Sequence, residues 1–332
     1  MNNPIDFVVL WVDCNDAKWQ KEKNKYSGIK DVDNSIVRYQ DWENLKYWFR
    51  SVEKYAPWVN RVHLLTNGQV PEWINTECPK LNLVKHSDYM PRTALPTFNS
   101  NAIEVGICDI PGLSEYFVLF NDDVFLTAPA SEKNFFSNGV PIDMCGFIRA
   151  PKTNPDNVFS YLMKNNNDVI FQHFNKKQIV WDKFFKWFRP WQGKTFLSSL
   201  YYALHKGRVG FVIPHLSTPY LKTDFKKVWE KESEKLIATQ HNRFRSKTDL
   251  THCLFRNWRM SEGNFISRKS KGKYFSVKDE NTAKIIANAI IKNKYPEICI
   301  NEVCTGETFE QVKAIVNDAF EQTLPKKSIF ER

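Results

Sequence analysis

The sequence predicts a doubly wound α/β fold with a mostly parallel, Rossmann-like sheet. Two apolar runs, residues 5–12 and 116–120, are rich in aromatic and β-branched residues, which is typical of strands buried on both faces. Both runs end abruptly in polar residues. Strand and helix patterns alternate between them, and such alternation indicates a doubly wound sheet.

The composition narrows the partners and locations that we expect. Hydrophobic residues make up 42% and charged residues 25% of the 332 residues, which is ordinary for a globular protein. The net charge of +10 favours a polyanionic partner such as nucleotide phosphates, a nucleic acid or an anionic membrane surface. The seven cysteines include no Cys-x-x-Cys pair, so we expect a cytoplasmic protein without a disulfide framework or zinc site. We also expect neither a signal peptide nor a spanning helix.

The first predicted strand, residues 5–12, ends on Asp13. The carboxyl ends of strands in open α/β sheets face the ligand crevice, so Asp13 is a candidate site residue. Asn15 or Asp16 can cap a helix over residues 18–25.

A second helix is predicted over residues 42–55, where apolar residues recur at helical spacing. Asp41 is its expected N-cap, and Pro57 is its expected end. Arg38 lies just upstream, where a phosphate-binding side chain could reach the crevice, although a solvated arginine is the simpler explanation of this residue alone.

Two more strands are predicted, over residues 58–66 and 81–86, and the turn Asn67-Gly68 closes the first. A helix should begin near residue 100, where Asn99, Ser100 and Asn101 are all suitable caps and Glu104 could complete a capping box. The N-terminus of a helix that follows a strand attracts phosphate, so Asn99 lies at a second candidate ligand contact.

The strand over residues 116–120 ends in the polar cluster Asn121-Asp122-Asp123. Two adjacent carboxylates are costly at a strand end unless a cation or a basic group compensates them. The functional interpretation is a Mg²⁺ or Mn²⁺ site that binds the phosphates of a nucleotide-sugar. The alternative is a simple turn with an Asx hydrogen bond.

Residues 128–208 are predicted to form an inserted helical region that is rich in aromatic and basic residues. We favour a helical cap that packs on the sheet. The alternative is an acceptor-binding or membrane-facing surface.

The C-terminal part begins with a segment that contains one candidate catalytic histidine. His215 lies between Pro214 and Pro219, and a rigidly held imidazole can act as a general base or acid near neutral pH. A purely structural histidine explains the pattern about equally well.

Two arginines and two further acids follow. Arg243 and Arg245 flank Phe244, and guanidinium groups match phosphate oxygens, whereas no nucleic-acid recognition motif accompanies them. Asp249 is the expected cap of a helix that extends to residue 260. A short strand over residues 298–300 ends in Asn301 and Glu302, which repeats the amide–acid order of the earlier cluster.

The order of these motifs closely resembles the Stealth family, which comprises bacterial capsular and cell-wall polysaccharide phosphotransferases and the catalytic part of the animal N-acetylglucosamine-1-phosphotransferase. The resemblance to the first two family regions lies in residues 5–13, 50–58, 66–71, 95–100 and 111–123. The third region is matched at residues 214–222 and 243–249, and the fourth at residues 298–302 and 328–331. The fourth region usually reads Asn-Asp, whereas this sequence has Glu302, which keeps the charge on a longer arm.

The resemblance implies transfer of a sugar-1-phosphate from a nucleotide-sugar, with UDP-hexose or UDP-N-acetylhexosamine expected, to a hydroxyl group of a glycan acceptor. Acceptors of this kind are often lipid-linked, so a membrane contact is possible. We expect such a contact to be at most peripheral. It also implies one catalytic domain over residues 1–332. Its expected parts are a nucleotide-sugar-binding half (1–127), the helical insert on the acceptor side (128–208) and a part that completes the active site (209–332).

The resemblance also implies roles for individual residues. His215, Asp122, Arg245 and Asp13 are the expected catalytic residues, with His215 as the base and an aspartate as its rival. Mg²⁺ or Mn²⁺ is the expected cofactor, held by Asp122, Asp123 and Glu302. The expected substrate-binding residues are Arg38, Asp41, Asn99, Asn121 and Arg243.

Two other classes of protein compete with this interpretation. A conventional glycosyltransferase with a similar, GT-A-like sheet would use the same acidic strand ends and release a nucleoside diphosphate. A non-enzymatic, basic glycan- or nucleic-acid-binding protein would explain the charge but not the repeated acids at strand ends.

Overall fold

The structure is a computed structural model that describes residues 3–26, 28, 32–33, 40–269 and 272–332. The strands are β1 (Ile5–Leu10), β2 (Val32–Asp33), β3 (Val62–Thr66), β4 (Leu81–Lys85), β5 (Tyr116–Phe120), β6 (Val124–Leu126), β7 (Phe136–Ser137), β8 (Val140–Asp143), β9 (Phe147–Arg149), β10 (Val209–Phe211), β11 (Thr218–Leu221), β12 (Arg245–Ser246), β13 (Ile266–Ser267), β14 (Gly272–Val277) and β15 (Glu297–Glu302). The helices are α1 (Ala17–Asn24), α2 (Leu45–Tyr55), α3 (Ser100–Glu104), α4 (Val158–His173), α5 (Phe184–Trp187), α6 (Lys194–Leu204), α7 (Lys222–His241), α8 (Cys253–Glu262), α9 (Glu280–Ile291) and α10 (Gly306–Thr323).

The central sheet has five strands in the order β11-β5-β1-β3-β4. The pairs β5-β1, β1-β3 and β3-β4 are parallel, and only the edge strand β11 is antiparallel to its neighbour. The chain moves outward from β1 through β3 to β4 and then returns to the other side of β1 with β5. Such a reversal is the topological switch point of a doubly wound sheet, so the predicted fold class is confirmed.

Two apolar cores cover the two faces of this sheet. Alternate side chains of β1 point to opposite faces, as in any strand, so Phe7 and Val9 belong to one core and Val8 to the other. The first core includes side chains of α2, α9 and α10, and the second includes side chains of α7 and α8. Strands buried on both faces explain why β1 and β5 are continuous apolar runs in the sequence.

The insert differs from the prediction. Residues 128–208 were predicted to be helical, but they also contain the strands β7, β8 and β9, of which β9 pairs with β10 and β8 pairs with β13. These strands have two to four residues, which is too short for the apolar alternation that identifies a strand in sequence. The helices α4, α5 and α6 account for the helical part.

Two predicted helix caps are confirmed, and three predictions about caps are wrong. Asp16 caps α1 and accepts a hydrogen bond from the Lys18 amide, as predicted. Asp41 does not cap α2, which begins after Asn44. Glu104 completes no capping box at α3, although Asn99 caps that helix. Asp249 does not cap α8, whose N-cap residue is His252.

Candidate active site

A cavity of about 540 Å³ lies at the switch point, outside the carboxyl ends of the parallel strands. Each of the four parallel strands contributes to its wall through residues at or just beyond its end: Val12 after β1, Asn67 after β3, His86 after β4 and Asn121 after β5. Aromatic side chains complete one part of the wall: Trp11, Trp19, Trp42 and Phe98. The volume and the mixture of apolar and polar groups are typical of a site for a small organic ligand.

The acidic pair lies in the wall of this cavity. Asn121, Asp122 and Asp123 form the turn between β5 and β6, closed by a 3.1 Å hydrogen bond from the Val124 amide to the Asn121 carbonyl. The turn that one interpretation predicted therefore exists, although the hydrogen bond that closes it joins backbone atoms and is not the expected Asx bond. The three residues also line the cavity, as the other interpretation predicted. The antiparallel pairing of β6 with β15 brings Asn301 to the same wall.

Asp13 and Asp41 form a second acidic group. Asp41 lines the cavity, while Asp13 is half-buried between the wall residues Val12 and Cys14. Burial raises the pKa of the Asp41 carboxyl, and the negative charge of Asp13 contributes in the same direction. Gln69 fixes the Asp13 backbone by accepting from its amide and donating to its carbonyl, at 2.9 and 3.0 Å.

His215 lines the cavity at a position with unusual backbone geometry. Its φ of +48° lies in the left-handed region, which few residues other than glycine and asparagine adopt without cost. The imidazole lies between the rings of Tyr274 and Phe159, with ring centroids 5.4 and 5.9 Å away. Desolvation, followed by the neighbouring His252, lowers the pKa of His215 and favours the neutral imidazole.

The loop that carries His215 is held from below by a buried carboxyl group. Glu297 accepts a hydrogen bond from the backbone amide of Ser217, two residues after the histidine. Burial raises the pKa of Glu297 to about 7, although the bond from Ser217 acts in the opposite direction.

His252 also lies in the cavity wall, together with His86 and His215, and the sequence analysis did not identify it. His252 Nδ1 lies 2.8 Å from the Tyr220 hydroxyl, and its Nε2 lies 4.0 Å from the Glu104 carboxylate. Desolvation lowers the pKa of His252, and the charge of Arg256 adds to this, while Glu104 opposes it. Burial raises the pKa of Glu104. His252 and Glu104 are 148 positions apart, so no local pattern joins them.

Arg245 also lines the cavity, and its partner lies at the start of α3. It donates a 2.7 Å hydrogen bond to the Ser100 hydroxyl, and its charge is close enough to Glu104 to oppose the rise in that residue's pKa. The guanidinium is thus held at a fixed position in the cavity wall, where its positive charge favours an anion.

Two predicted substrate-binding residues lie behind the wall. Asn99 is fully buried, and its amide donates to the Asn242 and Phe244 carbonyls and to Asp249. Arg243 donates to the Pro96 carbonyl and lies over the Tyr26 ring, 4.6 Å from its centroid. Asn99 therefore joins the Arg245 segment to the start of α3, and Arg243 joins it to the chain before that helix, while neither residue lines the cavity.

The structure brings most, but not all, of the predicted residues together. Six of them line the one cavity: Asp41, Asn121, Asp122, Asp123, His215 and Arg245. Asp13 adjoins it, and Asn99 and Arg243 support it. Arg38 lies outside the described residues, and so does the side chain of Glu302, whose backbone ends β15.

The donor atoms present suit Mg²⁺ or Mn²⁺. Among the side chains that the structure describes, no three from His, Cys, Asp and Glu are grouped as a metal site. Mg²⁺ is commonly held by one or two carboxylates together with substrate phosphates and water, so a pair such as Asp122 and Asp123 fits that mode. The oxygen donors of Asn121 and Asn301 in the same wall are also of the type that this ion prefers.

The comparisons with known families and proteins agree with the predicted resemblance. Conserved region 1 of the Stealth proteins matches residues 3–31, and conserved region 2 matches residues 38–142. Capsular polysaccharide phosphotransferase WcwK of Streptococcus pneumoniae is 40% identical over 99% of this chain and 98% of its own length. Receptor polysaccharide phosphotransferase WefC of Streptococcus gordonii is 39% identical over the full length of both chains.

A third relative and one solved structure are also similar to this chain. Exopolysaccharide phosphotransferase cps2G of Lactiplantibacillus plantarum is 38% identical over 99% of this chain and 96% of its own. Among solved structures, galactosyltransferase LgtC, in complex with donor and acceptor sugar analogues, aligns over 97% of this chain and 96% of that chain. The TM-score is 0.41 and the sequence identity 10%.

Proposed function

The chain belongs to the Stealth family of polysaccharide phosphotransferases, and from this membership we propose that it transfers a sugar-1-phosphate from a nucleotide-sugar to a glycan hydroxyl. The observation that carries the proposal is the shared cavity at the switch point. Carboxylates, an imidazole of lowered pKa and a guanidinium line it together. Capsular or exopolysaccharide synthesis is the setting, and UDP-hexose or UDP-N-acetylhexosamine is the expected donor class.

The reaction requires one bond to phosphorus to form and another to break. The acceptor oxygen bonds to the phosphorus that carries the sugar, and the bond from that phosphorus to the nucleotide's bridging oxygen breaks. A nucleoside monophosphate leaves, and a phosphodiester joins the two sugars. The acceptor proton passes to a base, and phosphoryl transfer otherwise depends mainly on positioning and on charge neutralisation.

His215 is the proposed base. A base must be unprotonated at the working pH, and the lowered pKa of His215 keeps its imidazole neutral there. Its loop is fixed on one side by Glu297 and flanked by Tyr274 and Phe159, so the ring has a defined position in the cavity. An aspartate of the acidic pair is the rival for this role.

Arg245 is the proposed stabiliser of the negative charge on the transferring phosphoryl group. A guanidinium matches two phosphate oxygens at once, and Ser100 holds this one at the start of α3. Asp122 and Asp123, with Glu302 as a third proposed ligand, would hold Mg²⁺ or Mn²⁺, which neutralises diphosphate charge when bound. The Asp41 and Asn121 side chains are proposed contacts of the donor.

The products test this proposal. The chain is incubated with a panel of nucleotide-sugars, Mg²⁺ and candidate glycans, and the mixture is followed by ³¹P NMR. A new phosphodiester signal together with a nucleoside monophosphate is the expected result. A nucleoside diphosphate without a phosphodiester would identify a conventional glycosyltransferase. Glycan binding that persists in EDTA with no turnover would identify a binding protein.

A further inference from the structure

The outer face of α6 exposes a row of apolar side chains. Leu197, Tyr201 and Leu204 have 67%, 62% and 67% of their surface exposed. Their spacing of four and then three residues places them on one side of the helix. Single exposed apolar residues are ordinary, but a continuous row on one helix face usually marks an interaction surface.

These exposed side chains are not the ones that pack α6 onto the core, because a different side of the helix does so. Ser199 and Ala203 are buried, and the Ser199 hydroxyl accepts a 2.8 Å hydrogen bond from the Phe147 amide of β9. Phe196 and Leu200 pack against the second core. The helix is therefore fixed in an orientation that leaves the apolar row in water.

Further aromatic residues near α6 are also exposed. Trp191, three residues before the helix, is 51% exposed, and the Arg189 guanidinium lies 5.4 Å from the centroid of its ring. Phe185 on α5 is 79% exposed. Amphipathic and aromatic side chains of this kind are typical of surfaces that enter the boundary between lipid headgroups and acyl chains.

The charge around the row has one sign. Residues 183–208 contain six Lys or Arg residues and no Asp or Glu. Arg208 pairs with Asp168 from α4, but Arg189, Lys194 and Lys206 have no ion pair within the described part of the chain. Lys194 lies three residues before Leu197, on the same side of the helix.

We propose that the outer face of α6, with Trp191 and the surrounding basic residues, docks on an anionic lipid surface. Apolar side chains would enter the interface while Lys and Arg contact the lipid headgroups. Within the described residues, no helix is long and apolar enough to cross a membrane. A second copy of the chain fits less well: a few side chains fall short of the roughly 800 Å² per partner of a stable interface, and the basic groups would repel each other.

The position of α6 in the chain gives this contact a consequence for the proposed function. The helix leads through β10 directly into residues 213–216, which line the cavity beside His215. Docking of α6 would therefore place the lipid surface one short strand away, along the chain, from the segment that carries His215. The docking inference itself rests on the surface alone and can be tested without any turnover.

Flotation with phosphatidylglycerol-containing vesicles tests the proposal, with phosphatidylcholine vesicles as reference. The wild-type chain should bind the anionic vesicles, and binding should weaken as NaCl is added, because exposed charges are screened. The double variant Leu197→Glu/Leu204→Glu should bind at least tenfold more weakly. The matched control Ile285→Glu/Ile291→Glu makes the same changes on α9, where both residues are exposed, and should bind as the wild type.

A second variant separates charge from apolar contact. Lys194→Glu/Lys206→Glu should weaken binding to anionic vesicles at low salt, with thermal unfolding unchanged, because both residues are exposed. Equal binding of the wild type and the Leu197/Leu204 variant would overturn the proposal, as would failure of the wild type to bind anionic vesicles. Sedimentation velocity tests the alternative of a second copy of the chain. A wild type that is dimeric and a Leu197→Glu/Leu204→Glu variant that is monomeric, with equal vesicle binding by both, would also overturn the proposal.

Discussion

Sequence patterns identify some residues of the candidate site and not others. Asp122, Asp123 and Asp13 follow buried strands, so the strand-end rule is enough to identify them. His252 and Glu104 follow no such rule. They become neighbours only because α8 and α3 pack on the same side of the sheet, so no signal in the sequence could have identified the pair.

His215 is the residue whose role is most directly testable. We predict that His215→Ala leaves donor binding nearly unchanged and lowers turnover by about 10²- to 10⁴-fold, the usual contribution of a general base. In the wild type, kcat/KM should fall at acidic pH with an apparent pKa below 6.5, because protonation disables the base and the pKa of His215 is lowered. The variant should lose this acidic limb.

The matched control is His241→Ala, at the surface end of α7, where the ring contacts the Thr93 hydroxyl at 3.0 Å. Its turnover and pH profile should equal those of the wild type. Unchanged turnover in His215→Ala would remove this residue from the mechanism and favour the aspartate as base.

Glu297 makes stability depend on pH. Its pKa is about 7 in the folded chain, above the ordinary value of 4.5, so the folded state holds an extra proton between these values. The contribution of Glu297 to the stability of the wild type should therefore fall as pH rises through this window, by about 2 kcal/mol between pH 5 and pH 8. Glu297→Gln has no carboxyl group to titrate at this position. The unfolding free energy of the variant should therefore rise relative to that of the wild type between pH 5 and pH 8. Urea unfolding at pH 5 and pH 8 measures the difference in unfolding free energy between the variant and the wild type. The same difference at both pH values would contradict the prediction.

At the scale of elements, the sequence predicts the long, buried strands and the amphipathic helices best. The positions of β1, β3, β4 and β5 agree with the apolar runs within a few residues. The errors concern short elements and caps, where several polar residues compete for one helix start and tertiary contacts decide between them. Asp249 is such a case. It lies just before α8, but its carboxylate accepts hydrogen bonds at the start of α3 and does not cap α8.

Asp249 joins three segments of chain. Its buried carboxylate accepts hydrogen bonds from the side-chain amides of Asn99, Asn101 and Asn242 and from the Ser246 backbone amide, at 2.7–3.1 Å. Asp249→Ala removes these four hydrogen bonds at a buried position, and the Asn101 side-chain amide and the Ser246 backbone amide lose the acceptor that they have here, so the variant should cost about 3 kcal/mol of unfolding free energy. Because Arg245 lies in the same loop, turnover should fall as well.

The conservative variant Asp249→Asn serves as the control for this prediction. It keeps an oxygen acceptor and should cost less than Asp249→Ala in urea unfolding and in turnover. If Asp249→Ala unfolds at the urea concentration of the wild type, the carboxylate does not hold the loop.

At the scale of the whole molecule, the last residues close the fold. Arg50 of α2 donates to both carboxylate oxygens of Glu331, at 2.9 Å each through Nε and Nη2, and to the Leu324 carbonyl. The two side chains are 8% and 3% exposed, so the pair is screened little by water. The sequence could not predict this contact, because its partners are 281 positions apart.

Arg50→Ala should destabilise the chain by about 3–5 kcal/mol, because it leaves a buried carboxylate without its partner. The control Glu321→Ala removes an exposed partner of the same arginine and should cost less than about 1 kcal/mol. Thermal or urea unfolding distinguishes the two, and equal small losses would show that Glu331 is satisfied without Arg50.

The fate of the sugar-proximal phosphate tests the central claim most directly. A nucleotide-sugar labelled with ³²P in the phosphate next to the sugar is incubated with the chain, Mg²⁺ and an acceptor glycan. The label should enter the glycan as a phosphodiester, while the released nucleoside monophosphate stays unlabelled. Label that remains in a released nucleoside diphosphate would contradict phosphoryl transfer and assign the cavity to glycosyl transfer.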